Sequence, residues 1–475
     1  MALRQDLDRL GPRLDLDASQ IEVIQSPRGF YDVLKTKIAS ARQRIYLSTL
    51  YIGRSEKELA GVLREALDKS KDLQVSILTD ALRGTRESPD EVSCASLLLP
   101  LVQEFPDRVD VRMYHTPNLT GLRKAIIPKR INEGWGLQHT KLYGFDDEVI
   151  ISGANLSNDY FTNRQDRYYL FKSEIVANYF QKIHSATCSL SQKLEPSPSS
   201  PSGFTLTWPE SNLAQDPLKH PQQYKAQATS LLQSLVTAPS AVQSPPKTNT
   251  SIYPLFVHPP TINTELPAIE ALLSPSRSIH SYTFTAGYFN PHPEVTRTLL
   301  DLSSPPASTP GTILTASPFA NGFYGSAGIS GMLPAAYSRL SLLFLRAARG
   351  KNVQLREWQR GMVGKPDGWT YHAKGLWVTL PPGKDGEGPE VDSGPSATLM
   401  GSSNYTARSY GLDLEVGALV VTTNAELKRK WKAEVENLAQ YTHPITEKEL
   451  NAPNRKASLK VRLAMWIVKK VGGAL

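Results

Sequence analysis

The chain is 475 residues long and 40% hydrophobic, enough for about two or three domains or one large pseudo-symmetric unit with a sizeable core. Its 53 Lys and Arg against 45 Asp and Glu leave a net charge of +8, which suits an anionic partner: nucleic acid, an acidic membrane surface or a phosphorylated substrate. Two cysteines, Cys94 and Cys188, with no Cys/His cluster argue against a disulfide framework or a structural zinc site, and no run of 18 apolar residues offers a spanning helix.

Near the N-terminus Arg4, Arg9 and Arg13 mix with Asp6, Asp8, Asp15 and Asp17, so no targeting segment is evident. Ile21–Ile24 is a short β-like run. Ser26-Pro27 then reads as an N-cap and a first-turn proline, with Phe30, Leu34, Ile38 and Ala41 at helical spacing. Residues 45–52 read as a strand and 56–70 as a helix capped by Ser55. A second strand is expected at 73–79, followed by Arg83-Gly-Thr-Arg86, and a third at Val109–Tyr114; His139 opens a fourth. Strands separated by helical patterns predict an α/β fold, with sheets flanked by helices.

The order recurs in the second half, where 278–285, Gly311–Ala316 and Val353–Trp358 parallel the first three strands. Ile45 to His139 spans 94 residues and Ile279 to His372 spans 93. Near-equality over so long an interval indicates an internal duplication. Between the halves, 196–203 and 238–250 are linker-like, with a helical patch around Leu231, Leu232 and Leu235. Residues 381–395 form a Gly/Pro/acidic insertion, read as an exposed, mobile loop. The expected organisation is a first half at 1–195, a linker with a helical insertion at 196–255, a second half at 256–455 and a basic amphipathic helix at 456–475. Two pseudo-symmetric α/β halves, each a mixed sheet, would bring their motifs to one interface, where ligand sites tend to lie.

The motifs are His139-Thr-Lys141 and His372-Ala-Lys374. On extended backbone the His and Lys of each share a face, and an imidazole beside an ammonium is a place for a phosphate. Asn155 and Asn404 follow in turn-like segments, and Asp166 and Glu415 each lie 11 residues beyond their Asn. With two His, two Lys and two Asn around one phosphorus, one His must be neutral to attack and the other protonated to donate to the leaving oxygen. A carboxylate on the far ring nitrogen fixes the tautomer, a role for Asp166 and Glu415. Lys141, Lys374, Asn155 and Asn404 would hold the non-bridging oxygens. The expected route is double displacement through a phosphohistidine, with no metal or other cofactor. Asp146, beside a turn, reads as structural.

Arg83, Arg86, Arg164, Arg167 and Arg408 flank the motifs and are candidates for substrate phosphates. The Gly-rich loop 317–331 offers a backbone cradle helped by Asn321 and Tyr324. Residues 332–345 read as a core helix. At the C-terminus Leu459, Leu463, Trp466 and Ile467 line one side of a helix, with Lys456, Lys460, Lys469 and Lys470 mostly elsewhere, a pattern that suits an anionic membrane surface.

Paired His-x-Lys segments with downstream Asn turns resemble the phospholipase D superfamily. Leu137-Gln-His-Thr-Lys-Leu-Tyr143, Ser152-Gly-Ala-Asn-Leu-Ser157, Tyr160-Phe-Thr-Asn-Arg-Gln-Asp-Arg-Tyr168 and Tyr371-His-Ala-Lys-Gly-Leu-Trp377 are similar to its mitochondrial phosphatidylglycerophosphate synthase family, over roughly residues 45–420. That resemblance implies two phospholipase D-like halves and attack of glycerol 3-phosphate on CDP-diacylglycerol with release of CMP. It further implies a peripheral enzyme of the mitochondrial inner membrane. Nucleic acid is not expected as a partner, since the sequence offers no convincing set of aromatic stacking platforms beside a basic groove. The resemblance also implies that the acids cross over, Glu415 supporting His139 and Asp166 supporting His372, with His139 as nucleophile. The superfamily places an Asp five residues after each Lys; the first copy keeps it as Asp146, whereas the second has Thr379. The motifs also fit phosphatidylserine synthase, cardiolipin synthase, a lipid hydrolase or a nucleic-acid phosphodiesterase. Oligomeric state and acyl preference are not legible.

Overall fold

A computed structural model describes residues 2–86, 93–127, 132–237, 248–381, 394–453 and 455–470. The strands of its first sheet run, edge to edge, Phe204–Thr207, Gln192–Pro196, Val109–Tyr114, Gln74–Asp80, Arg44–Ser48, Leu142–Phe145, Glu148–Ser152, Tyr168–Lys172 and Ile21–Ile24. Those of the second run Thr442–Pro444, Val353–Trp358, Gly311–Ala316, Ser281–Ala286, Lys374–Thr379, Ala397–Gly401, Glu415–Thr422, Thr250–His258 and Leu14–Leu16. From Gln192–Pro196 in one and Thr442–Pro444 in the other, eight strands follow in the same order. The sense matches too: Arg44–Ser48 with Gln74–Asp80, and Ser281–Ala286 with Gly311–Ala316, are parallel, while the His-x-Lys strands pair antiparallel to the first of each set. The duplication inferred from spacing is therefore a duplication of topology.

Short connections and capping residues set the local structure. Ser26 accepts the Gly29 N–H at the start of Pro27–Ser40, as its Ser-Pro signature predicts. The next helix, Lys57–Lys69, starts at Glu56 and not under Ser55, whose hydroxyl donates instead to the Glu56 carboxylate (3.0 Å). The helices Pro27–Ser40, Lys57–Lys69 and Cys94–Glu104 cover the outer face of the first sheet, and Glu265–Leu272, Pro293–Leu302 and Leu333–Ala347 that of the second. Between the sheets one apolar core takes in Tyr46, Leu142 and Tyr169 from the first and Trp358, Trp377 and Met400 from the second. The helices Glu174–Cys188, Pro221–Val236 and Ala425–Ala439 contribute to that same core. The inner faces of both halves are thus buried against each other.

Three boundary expectations need correction. Residues 196–203 do not link domains; they turn the hairpin between Gln192–Pro196 and Phe204–Thr207 at the edge of the first sheet. Leu14–Leu16, at the start of the supposed first half, pairs with Thr250–His258 in the second sheet, its alternating Leu14 and Leu16 buried. Thr250–His258 belongs to the second repeat, in the place that Ile21–Ile24 takes in the first, so 250–255 is strand and not linker. The insertion 382–393 and most of the 238–250 stretch lie outside the described residues. Asp146 is structural: Oδ1 accepts the Gln43 and Arg44 N–H groups and Oδ2 that of Arg42, at 2.9–3.0 Å. It ties the turn at the end of Leu142–Phe145 farthest from Lys141 to the start of Arg44–Ser48. These bonds overcome partial burial and hold its carboxyl below the ordinary range.

Candidate active site

Each His-x-Lys segment enters the interface by a short strand-like pairing with the other half. The His139 N–H donates to the Leu414 carbonyl (2.9 Å) and the Leu414 N–H to that of Leu137 (2.8 Å). The second half repeats this: His372 N–H to the Gln165 carbonyl (2.8 Å) and Thr370 N–H to that of Asn163 (2.9 Å). The residue after the carbonyl that each histidine N–H meets, Leu414 or Gln165, is an acid, Glu415 or Asp166. The chain therefore delivers each acid to the histidine of the opposite half, and a pseudo-twofold seam runs between them. His139 Nδ1 lies 2.9 and 3.0 Å from the Glu415 carboxylate oxygens. His372 Nδ1 lies 2.6 Å from Asp166 Oδ2. A carboxylate at Nδ1 favours the tautomer with its proton there, which leaves Nε2 of each ring for chemistry.

The lysines stand beside these pairs. Lys374 Nζ is 2.7 Å from His372 Nδ1 and 3.5 Å from Asp166 Oδ2. Lys141 Nζ donates to the His139 carbonyl at 2.5 Å. Gly153 permits this crowding, since a Cβ there would lie 2.6 Å from Asp166 Oδ1 and 2.9 Å from Lys374 Nζ. Lys374 is close enough to both His139 and Lys141 to depress their proton affinity, so the two motifs share one site.

Burial dominates the titration of this cluster. It drives His139 well below the usual imidazole range, reinforced by Lys141, and His372 to about 3, reinforced by Lys374. Lys141 falls to about 7 and Lys374 is lowered, again through burial. Burial lifts Glu415 to about 7, whereas for Asp166 it is outweighed by Lys374 and His372, which hold that carboxyl low. Burial thus disfavours the charged form of both imidazoles and both lysines, and an anion entering between the lysines would offset that cost for them.

Asn155 and Asn404 occupy corresponding positions, and the side-chain oxygen of each is buried without a partner among the described residues. Such a pair of orphan polar atoms is costly unless a ligand meets them. Asn155 Nδ2 donates to the Tyr160 hydroxyl (3.2 Å), and that oxygen lies 3.4 Å from His372 Nε2. Tyr160 and Tyr288 present their rings edge-on to His372 at 5.2 and 5.4 Å, and Tyr337 stacks on Tyr288 at 5.6 Å. These tyrosines were not anticipated. The pairing register held the signal: Ser48 and Thr285 face Leu142 and Gly375, each one residue past a motif Lys, and Tyr51 and Tyr288 each follow three residues later.

The five arginines separate. Arg164 lies over the Tyr160 ring (4.6 Å) and pairs with Asp159 (3.1 Å), so it borders the site. Arg83 and Arg86 meet the Glu133 carboxylate, and Arg83 lies over Tyr51 (4.9 Å). Arg408 donates to Asp413 Oδ2 (2.9 Å) and to the Glu133 carbonyl (2.8 Å), while Asp413 Oδ1 accepts the Leu137 N–H (2.9 Å). Arg167 is not a substrate contact. It is 2% exposed, and its Nε and Nη2 grip the two oxygens of Glu434 at 2.9 and 3.1 Å. Nη2 also lies within hydrogen-bond distance of the Tyr169 and Thr398 hydroxyls, and Nη1 donates to the Leu399 carbonyl. In the loop after Gly311–Ala316, the buried Asn321 caps its own turn through the Phe323 N–H (2.9 Å), and Tyr324 packs edge-on against Phe319. Among the described contacts neither touches a motif histidine; the loop reaches the site through Phe323, packed on Tyr288 at 5.4 Å.

A family model described as cardiolipin synthase, PLD-like domain, matches residues 34–186. A CDP-diacylglycerol–glycerol-3-phosphate 3-phosphatidyltransferase of Saccharomyces cerevisiae is 46% identical over 95% of this chain and 88% of its own length. The mitochondrial protein of the same name from Gallus gallus is 34% identical over 98% of this chain and 86% of its own. Among solved structures, phosphatidylserine synthase of Haemophilus influenzae Rd KW20 superposes with a TM-score of 0.71 at 21% identity, covering 99% of this chain and 97% of that one. The last match extends the two-sheet fold to the whole chain.

Proposed function

The chain belongs to the family of CDP-diacylglycerol–glycerol-3-phosphate 3-phosphatidyltransferases, and we propose that it transfers a phosphatidyl group by two displacements through His139. In the first, His139 Nε2 attacks the phosphorus that carries diacylglycerol, the bond to the CMP oxygen breaks, and CMP departs. Glu415 holds the Nδ1 proton and balances the charge that develops on the ring. In the second, a hydroxyl of glycerol 3-phosphate attacks the phosphohistidine, its proton passes to His372 Nε2, and His139 is freed. Phosphatidylglycerophosphate is the product. Lys141, Lys374, Asn155 and Asn404 bear on the non-bridging oxygens in both steps.

A neutral His372 fits this division. A nucleotide phosphate has a second pKa near 6, so CMP leaves as an anion without an acid. The glycerol hydroxyl, by contrast, needs a base, and Asp166 stabilises the imidazolium that results. The observation that carries the reading is the crossed pairing of two buried histidines with acids from opposite halves. The purified protein, given CDP-diacylglycerol in the presence of a chelator, is expected to release CMP at a rate that depends on glycerol 3-phosphate and not on serine or glycerol. Release driven by serine or by water alone would exclude this acceptor.

The membrane side rests on the C-terminal helix Leu459–Lys470. Val461 and Met465 pack against Met332 and Ala336, so the helix is docked on the body. Leu459, Leu463 and Trp466 nevertheless remain 79%, 58% and 58% exposed, with Lys456, Lys460 and Arg462 exposed around them. The side chains of Ile467, Lys469 and Lys470 lie outside the described residues. An apolar strip edged with cations suits an anionic bilayer surface. No helix among the described residues is long and apolar enough to cross a membrane. With animal relatives named mitochondrial, we place the chain peripherally on the inner mitochondrial membrane. Leu459→Ser/Leu463→Ser/Trp466→Ser should reduce flotation with anionic vesicles several-fold while sparing turnover of detergent-dispersed substrate. Undiminished flotation would dismiss the helix as the anchor.

A further inference from the structure

Beside the reaction centre is an anion site already filled by the protein's own carboxylate. Arg83 sits on the short helix Ala81–Gly84 at the end of the strand Gln74–Asp80. Asp80 fixes it there: Oδ1 accepts the Leu82 and Arg83 N–H groups (2.9 and 3.1 Å), and Oδ2 accepts the N–H of Gln138 (3.0 Å), the residue before His139. One carboxylate thus joins the arginine turn to the nucleophile's segment. Arg86 follows in the same stretch, and both arginines point to Glu133.

The occupancy of this site is lopsided in charge and shape. Glu133 brings a single negative charge to two guanidiniums. It meets Arg83 through one nitrogen only, Nη1, which lies 3.3 Å from each of its oxygens. The two-pronged fork that an arginine offers to phosphate is not used by this carboxylate. Glu133 is also only loosely committed: its side chain is 21% exposed, and those of Arg83 and Arg86 are 30% and 41% exposed. Its backbone, however, is pinned by Arg408 at 2.8 Å. The side chain can therefore swing out while the segment leading to His139 stays in place.

We propose that Glu133 is an internal counter-ion standing where the phosphomonoester of the acceptor alcohol binds, and that a dianionic phosphate displaces it from Arg83 and Arg86. The competition makes the acceptor site selective by charge. A phosphomonoester of about −2 outbids one carboxylate on two arginines, whereas a neutral alcohol or a zwitterion cannot. The idea rests on the reading of the acceptor as glycerol 3-phosphate, but it can be tested apart from it.

Inorganic phosphate is the probe, its binding measured by calorimetry on the intact protein at low salt. Glu133→Gln keeps the size of the side chain and removes the competing charge. It is expected to tighten phosphate about tenfold, roughly 1.4 kcal/mol, and Arg83→Gln should weaken it. In the Arg83→Gln background the gain from Glu133→Gln should shrink. With turnover as readout, Glu133→Gln should lower KM for glycerol 3-phosphate by a similar factor. Weaker or unchanged phosphate binding in Glu133→Gln would overturn the proposal and make Glu133 a brace for the arginines. Tighter phosphate binding with no turnover of glycerol 3-phosphate in any variant would keep the counter-ion and discard the acceptor.

Discussion

Replacing His139 or His372 with alanine is expected to lower kcat by about 10⁴-fold or more, a loss of the size seen when a member of a nucleophile–base pair is removed. The two losses have different origins. Without His139 no atom is left to accept the phosphatidyl group, and any residual turnover has to come from direct attack of the acceptor, helped by the lysines. Without His372 the nucleophile and its partner Glu415 remain, and the missing function is removal of the acceptor's proton. Steady-state rates would show both variants as dead; circular dichroism and unfolding midpoints near wild type would show that the loss is chemical. Substantial turnover by His139→Ala would contradict the assignment outright.

The second large effect is on stability. Arg167 and Glu434 form a buried ion pair between the halves, 1% and 4% exposed at their side chains. The guanidinium also lies 3.9 Å from the Trp377 ring centre and leaves no room for a Cβ at Gly375, where one would approach Nη1 to 1.8 Å. Glu434 is held in turn by Tyr169 and by Trp377 Nε1 (2.9 Å). Removing one partner strands the other charge in an apolar core. Arg167→Met or Glu434→Leu alone is therefore expected to cost about 3–5 kcal/mol, and the double variant less than either. Denaturant unfolding measures this. Single variants within about 1 kcal/mol of wild type would show that the pair does not hold the interface. The backbone N–H of Arg167, which donates to Asp166 Oδ1 (2.9 Å), is kept in Arg167→Met, so the expected loss is one of stability.

These two sites differ in how readable they were. The His-x-Lys motifs, the Asn turns and the acids 11 residues beyond stand in the sequence because each repeat writes them locally, on neighbouring strands of one sheet. The strands expected at Val109–Tyr114, Gly311–Ala316 and Val353–Trp358 match the observed spans for the same reason. The crossing of the acids is not local. It depends on Leu137–His139 pairing with Leu414 and Thr370–His372 pairing with Asn163 and Gln165, contacts across more than 200 residues, and only the family resemblance implied it. Arg167 was misread because Asn163-Arg-Gln-Asp-Arg167 looks like a charged rim, whereas its partner sits on the distant helix Ala425–Ala439. Glu133 went unnoticed since nothing in its own surroundings announces two arginines some fifty residues earlier. The hairpin at 196–203 was read as a linker because Pro, Ser and Gly serve tight turns and tethers alike.

If His139 carries the phosphatidyl group while CMP leaves and His372 acts afterwards, the two steps separate in time. Rapid-quench release of CMP from CDP-diacylglycerol, without acceptor and with enzyme in stoichiometric excess over background hydrolysis, tests this directly. His372→Ala should release close to one CMP per enzyme in a burst and retain lipid on the protein through an acid-labile, base-stable bond, whereas His139→Ala should give neither. A burst with His139→Ala, or its absence in His372→Ala alongside a burst in the wild type, would reverse or refute the roles.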